Sequence, residues 1–71
     1  MRNSERFEYG VAKAQLLLAL SMYREYGPEM AARKYPDCYD FVVANLHKTR
    51  DEVYLEVDKV LHERFALKRV V

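Results

Sequence analysis

The clearest helix start in this chain is a capping box at Thr49. Glu52 follows three residues later, so the threonine hydroxyl can accept the amide of Glu52 while the Glu52 carboxylate reaches back to the amide of Thr49. Apolar residues recur at three- and four-residue spacing on both sides of the box: Val42, Val43 and Leu46 before it, and Val53, Val57, Val60, Leu61 and Phe65 after it. This pattern predicts two helices whose apolar faces meet across a short turn.

The residues around this turn resemble the helix-turn-helix superfamily of DNA-binding proteins. That superfamily has a small residue and then an apolar residue in its first helix, a turn, a Ser or Thr cap with an Arg, and an apolar anchor in the second helix. The matching positions are Val43, Leu46, His47-Lys48, Thr49, Arg50 and Val53. Val43 replaces the usual Ala, and His47 stands where the turn usually has Gly. The resemblance spans Val42 to Val57 and implies that the second helix of the pair faces a groove of DNA.

Glycine and proline divide the rest of the chain into short helices. Gly27 suits the left-handed end of one helix, and Pro28 suits the first position of the next, where its missing N–H is not needed. Pro36 then stops the second helix, and Asp37 is expected to cap a third. The predicted helices run from Asn3 or Ser4 to Gly27, from Pro28 to Tyr35, from Cys38 to about Asn45, and from Arg50 to about Leu67. We therefore expect an all-α fold, a compact four-helix domain that occupies residues 1–71 as a single unit.

The periodicity of the first and last helices predicts which of their faces point inward. In the first helix an apolar face is formed by Phe7, Val11, Ala14, Leu18 and Met22, and is widened by Leu16, Leu17 and Leu20. A helix so apolar is usually the central one of a bundle. In the last helix the inward side holds Val53, Tyr54, Val57, Val60, Leu61 and Phe65. Leu55 falls on the opposite, polar side, together with Asp51, Asp58, Lys59 and His62.

Composition limits the classes of protein to which the chain can belong. It has 71 residues, of which 51% are hydrophobic and 32% charged, which is typical of a globular domain. The formal net charge of +1 gives no strong overall attraction for nucleic acid or an anionic membrane. The single cysteine, Cys38, excludes an internal disulfide and suits a reducing compartment. Without a signal peptide or a long apolar run, we expect a soluble cytoplasmic protein that does not bind membranes.

Double-stranded DNA is the first ligand that the sequence suggests. On a recognition helix, Arg50 can read guanine, Thr49 can hold a phosphate, and Tyr54 would also project toward the groove from the first two turns. Backbone contacts would come from Arg33, Lys34 and Lys48. Asp51 and Asp58 on this face oppose phosphate binding, because each lost phosphate contact removes a unit of counterion release. The competing interpretation is that Thr49 and Glu52 only cap a helix.

A helical protein-interaction module is the alternative. Leu55 on a polar face, beside Tyr54, Asp58 and His62, has the apolar centre and charged rim of a contact patch. Six tyrosines in so short a chain add contact area, although the simpler interpretation is that they line the boundary of the core. The partner would be a second copy or another protein. The build also suits a regulatory adaptor or an inhibitor encoded by a phage or another mobile element.

Enzymatic readings receive little support from the sequence. His47 and His62 lie on a turn and a polar helix face, and no nucleophile and carboxylate are spaced with them to form a catalytic triad. Cys38 is more easily explained as a small buried group than as a reactive thiol. We therefore expect no catalytic residues, no metal site, no cofactor and no small-molecule substrate.

Overall fold

The longest helix, α1 (Asn3–Tyr26), is the element against which the rest of the chain packs. The computed structural model describes the backbone of residues 3–70 and the side chains of residues 4–66. α1 contacts each of the other helices, as expected for a helix that is apolar around much of its circumference. Its 24 residues correspond to the longest dimension of the molecule, 36 Å, at a rise of about 1.5 Å per residue.

Three further α-helices and one 3₁₀ turn follow α1. They are α2 (Pro28–Lys34), the 3₁₀ turn Pro36–Cys38, α3 (Tyr39–Asn45) and α4 (Arg50–Val70). Residues 3–70 contain no β-strand, so the predicted all-α class is confirmed. None of the described helices combines the length and the apolar character needed to cross a bilayer.

The breaks between the helices are where glycine and proline predicted them. Gly27 adopts φ +97°, a left-handed conformation, and Pro28 opens α2 directly after it. The start of α3 differs from the prediction. Tyr35 leaves the helical conformation ahead of Pro36 (φ −134°, ψ 63°), and the chain then makes a 3₁₀ turn through Cys38, so α3 begins at Tyr39. Asp37 lies inside that turn, and Cys38 occupies the cap position of α3, so Asp37 does not cap this helix as predicted.

The core lies between α1, α3 and the inward face of α4. Its buried members are Leu16, Ala19 and Leu20 of α1, Cys38 of the 3₁₀ turn, Val42 of α3, and Val53, Val57, Leu61 and Phe65 of α4. The side of α4 predicted to point inward is therefore the buried side, with Tyr54 and Val60 half-buried at its margins. Leu55 is 72% exposed, as the helical periodicity predicted.

The predicted apolar face of α1 is buried only in part, at Leu16 and Leu20. Phe7 is 73% exposed, Val11 41% and Leu18 54%. Ala14 is also exposed, and Met22 is half-buried. The helix instead buries the side that holds Leu16, Ala19 and Leu20. Leu16 and Leu18 lie about 200° apart on a helix, so both sides of α1 are apolar and periodicity alone could not choose between them. On α3, Val43 was also expected inside, but it is 46% exposed while its neighbour Val42 is fully buried.

We predict that Leu61→Ala lowers the free energy of unfolding by about 2–5 kcal/mol, because the leucine is fully buried and its removal leaves a cavity. The matched control is Leu55→Ala on the exposed side of the same helix, which should change it by less than about 0.5 kcal/mol. Urea denaturation followed by circular dichroism measures both. Equal losses of unfolding free energy in the two variants would contradict the observed orientation of α4, in which Leu61 is buried and Leu55 is exposed.

Candidate functional site

The turn that joins α3 to α4 has the predicted capping box. The Thr49 amide donates to Glu52 Oε1 at 3.0 Å, the Thr49 hydroxyl donates to the same oxygen at 2.9 Å, and the Glu52 amide reaches Thr49 Oγ1 at 3.4 Å. The backbone hydrogen bond from Thr49, followed by that from its hydroxyl, lowers the pKa of Glu52. Glu52 is therefore ionised at neutral pH, and the end of α4 that points toward the turn carries a fixed negative charge.

Arg24 of α1 holds this turn from across the molecule. One of its guanidinium nitrogens donates to the carbonyl oxygens of Leu46 and Lys48, each at 3.2 Å. No local signal in the sequence indicated this contact, because Arg24 and the turn are more than twenty residues apart. In residues 3–70 positive φ occurs at Gly27, so the turn closes without a left-handed residue at His47. Glycine is therefore not needed at position 47, because the turn does not require a left-handed backbone there.

The cations proposed to bind DNA are partly engaged within the chain. Lys48 Nζ lies 3.5 Å from the carboxylate of Glu56, and the guanidinium of Arg50 lies 5.6 Å from the centre of the Tyr54 ring. Arg33 and Lys34 are exposed in the last turn of α2. No hydrogen bond or ion pair of the described residues joins these two cations to those at the start of α4. The structure brings Lys48, Thr49, Arg50 and Tyr54 to one end of α4.

The outward face of α4 is more acidic than basic. Its exposed charged side chains include Asp51 and Glu52 in the first turn and Glu63 further along, against the exposed cation Lys59. Leu55 lies between the acidic first turn and Lys59. A DNA groove is lined by phosphates, so this charge pattern opposes close approach of a duplex.

The other proposed interaction residues lie on the side of α4 that adjoins α1. The Tyr9 hydroxyl donates to Asp58 Oδ1 at 3.0 Å, and Lys13 Nζ lies 3.3 Å from the same oxygen. His62 donates through Nδ1 to the backbone oxygen of Asp58 at 2.7 Å. The His62 and Tyr9 rings are in edge-to-face contact, with 5.6 Å between their centroids. Lys13 also lies 5.7 Å from the centre of the Tyr54 ring. Asp58 and His62 therefore help to join α4 to α1, which their sequence positions did not indicate.

This contact shifts the pKa values of both partners. The hydrogen bond from Tyr9, followed by that from Lys13, lowers the pKa of Asp58. Burial, followed by the hydrogen bond to Asp58, raises the pKa of Tyr9 above its ordinary value of 10.0. The contact is therefore strongest when Tyr9 is neutral and Asp58 is ionised, which is the state of both groups at neutral pH.

Two shallow grooves lie beside α1 and α4. One, of about 290 Å³, is lined by Leu17, Leu20, Ser21, Arg24, Arg50, Val53 and Tyr54. The other, of about 240 Å³, is lined by Phe7, Glu8, Val11, Ala12, Gln15, Arg64 and Phe65. Neither set brings together a nucleophile and a base. The groove beside Phe7 is mainly apolar, whereas the one between Arg24 and Arg50 is almost as polar as it is apolar.

Cys38 and Asn45 are the buried polar groups of interest. Burial is the main cause that raises the pKa of the Cys38 thiol, which favours the unreactive thiol form. Asn45 was missed by the sequence interpretation. It is 4% exposed and donates to the Phe41 carbonyl at 2.7 Å, and its Oδ1 has no hydrogen-bond partner among the described residues. Those residues also contain no cluster of three or more His, Cys, Asp or Glu that could hold a metal ion.

No family model matches the chain, and no curated protein or solved structure matches it either. What the chain does is therefore inferred from its own surface.

We predict that Tyr9→Phe raises the pKa of Asp58 toward its ordinary value of 3.8, because the largest cause of the lowering is removed. In the wild type the Asp58 contribution to stability is present above that value and is lost as the pH falls through the lowered pKa. The Tyr9 contribution is present below pH 10.0 and is lost as the pH rises through the raised pKa. Tyr9→Phe should weaken both dependences.

Carbon-detected NMR titration of the Asp58 carboxyl group measures the acid side of this prediction, and urea denaturation across the pH range measures both sides. Tyr26→Phe is the matched control, because Tyr26 is 68% exposed and makes none of these contacts. An Asp58 pKa that is the same in wild type and Tyr9→Phe would show that the hydroxyl does not bond to this carboxylate in solution.

Proposed function

We propose that this chain is a small non-enzymatic regulatory module that binds a partner protein through the outward face of α4. The observation that carries the proposal is Leu55, a leucine that is 72% exposed on a face of charged side chains. Transfer of a fully exposed leucine into an interface is worth about 1.5–3 kcal/mol. A partner that covers Leu55 therefore gains a useful part of a typical binding energy from this one side chain.

The surroundings of Leu55 are those of an interface centre. Asp51 and Glu52 precede it by one helical turn, and Asp58 and Lys59 follow it by one turn, so charged groups surround an apolar point. Interfaces commonly have this arrangement, with an apolar centre that excludes water and a polar rim that remains hydrated. The turn held by Arg24 and the Asp58 contact with Tyr9 fix both ends of this part of α4. A fixed helix face binds at a lower entropic cost than a mobile loop.

The charge of the rim defines the chemistry of the partner. Glu52 and Asp58 have lowered pKa values and remain ionised at neutral pH. Lys13 offsets the charge of Asp58, and Lys59 is a further cation of the rim, so Asp51 and Glu52 leave the rim with an excess of negative charge. We therefore expect a partner surface with an apolar side chain that enters the Leu55 region and with lysine or arginine around it.

DNA binding is the second candidate, and one observation favours it. The α3–turn–α4 segment is present, with Thr49 as the cap and Arg50 in the first turn of α4. The charges give this candidate less support, because Lys48 is paired with Glu56, Arg50 lies against Tyr54, and the first turn of α4 is acidic.

The protein-binding proposal is tested with a photo-crosslinking amino acid at position 55, in cells that express the chain. The control carries the same amino acid at Glu25, an exposed position on α1. A protein captured from position 55 and not from position 25 is purified and titrated against wild type, Leu55→Asp and Leu55→Met. We expect Leu55→Asp to weaken binding at least tenfold and Leu55→Met to retain it, because methionine conserves apolar volume.

The salt dependence of partner binding distinguishes the contribution of the acidic rim from that of the apolar centre at Leu55. Binding by wild type should weaken between about 50 and 500 mM salt, because the charges of the rim are exposed and screened. Circular dichroism checks that each variant stays folded. A captured partner that binds wild type and Leu55→Asp with the same affinity would contradict the proposal.

Titration of a labelled mixed-sequence duplex at low and high salt tests the DNA alternative. If the chain reads DNA, binding is tight at low salt, falls steeply with salt, and is weakened by Arg50→Ala. If the chain instead binds a protein through Leu55, we expect little duplex binding even at low salt. Salt-sensitive duplex binding that depends on Arg50 would replace protein binding as the function.

A further inference from the structure

The outward face of α1 carries a continuous apolar stripe. Phe7 is 73% exposed, Val11 41% and Leu18 54%, and Ala14 between them is also exposed. These residues belong to the apolar face that the sequence predicted for this helix. In the folded chain they lie on the side of α1 opposite Leu16, Ala19 and Leu20, which are buried.

The stripe has the spacing of a coiled-coil seam. The residues 4, 7, 11, 14, 18 and 21 are separated alternately by three and four positions, which places them on one side of a helix that pairs with another helix. Four apolar side chains occupy the middle of this series. The ends are small and polar, because Ser4 precedes Phe7 and Ser21 follows Leu18. The seam is therefore about three turns of apolar contact with a polar residue at each end.

Charge is absent from the centre of this face. Between Tyr9 and Tyr23 the one charged residue is Lys13, and Lys13 is held by Asp58 of α4. A third of the whole chain is charged, so the outward side of α1 differs sharply from the remaining surface. Glu8 and Arg64 border this face beside Phe7 and Val11, but its centre offers a strongly charged partner no group to pair with. An equally uncharged helix would leave no charge unpaired there.

We infer that this face binds the same face of a second copy, with the two α1 helices antiparallel. The order of side chains along the seam is close to palindromic. An antiparallel pair centred between Val11 and Ala14 places Phe7 opposite Leu18 and Val11 opposite Ala14, with Ser4 opposite Ser21 at both ends. The large Phe7 and Leu18 then share one layer, Val11 packs against the smaller Ala14 in the next, and no layer pairs two phenylalanines.

The parallel arrangement packs less well. In register, it would place Phe7 against Phe7 and Ala14 against Ala14 of the second copy, so one layer is overfilled and another is left with a gap. It would also bring Glu25, the next residue of the same series, against its own copy. Like charges in one layer repel each other, so the antiparallel pair is favoured on both counts.

The size of the face predicts a weak dimer. A typical stable interface buries about 800 Å² per partner, which is roughly one-seventh of the 5362 Å² that the chain exposes. The seam from Ser4 to Ser21 is about 26 Å long. A strip of this length and the width of one helix buries less than about 800 Å² on each partner. We therefore expect a dissociation constant in the micromolar range, so that monomer and dimer are both populated in solution.

Sedimentation equilibrium between about 5 and 500 μM tests the association. Wild type should pass from monomer to dimer in this range, and Leu18→Glu should weaken the dimer at least tenfold. Leu55→Glu is the matched control, since it places the same charge at an exposed leucine outside the seam. It should dimerise as wild type does. Since this surface is separate from that around Leu55, either surface can fail its own test without affecting the other.

Cysteine cross-linking tests the antiparallel orientation. Ser4→Cys and Ser21→Cys chains, mixed under mild oxidation, should form a mixed disulfide dimer, because position 4 faces position 21 of the second copy. Ser21→Cys alone should form little, since its two thiols would be about 25 Å apart along the helices. Wild type controls for Cys38, which is buried.

Each other outcome overturns the inference. A wild-type chain that stays monomeric at the highest concentration removes the dimer. A dimer lost in Leu55→Glu and kept in Leu18→Glu assigns self-association to α4. Efficient cross-linking of Ser21→Cys alone shows a parallel pair and removes the antiparallel arrangement.

Discussion

The contact between α1 and the apolar side of α4 determines every exposed surface of this protein. Leu16, Ala19 and Leu20 are buried together with Val53, Val57, Leu61 and Phe65. Both helices are amphipathic only in part, so the rotation of each helix about its own axis determines which of its apolar side chains are exposed. With this packing, α4 exposes Leu55 and α1 exposes Phe7, Val11 and Leu18. A rotation of either helix would bury those side chains and remove the surfaces that suit a partner.

Polar contacts from α1 fix the two ends of this arrangement. Arg24 bonds the carbonyl groups of the turn before α4, and Tyr9 with Lys13 binds Asp58 further along that helix. Within α4 and its turn, Lys48 and Arg50 are drawn to Glu56 and Tyr54. On the outward face the exposed Asp51, Glu52 and Glu63 outnumber Lys59, and this excess of negative charge supports the proposal of a basic protein partner over a nucleic acid.

The local features of the chain could be predicted from its sequence, because short-range signals determine them. Gly27, Pro28 and Pro36 marked the helix ends, the Thr49 box marked the start of α4, and the periodicity of α4 identified its buried side and the exposed Leu55. α1 could not be oriented in this way, because apolar residues occur on two of its sides. Contacts between distant residues were also hidden. Arg24 meets the turn and Tyr9 meets Asp58 only after the chain has folded, and the buried Asn45 gave no periodic signal.

The rotation of α1 is tested most directly by NMR with a soluble paramagnetic agent, which broadens the methyl signals of exposed side chains. The measurement is made on dilute protein, so that any association is negligible. The packing described here predicts strong broadening for Leu18 and Leu55 and little for Leu16, Leu20 and Leu61. Protection of Leu18 together with broadening of Leu16 would contradict it, because α1 would then bury the opposite side.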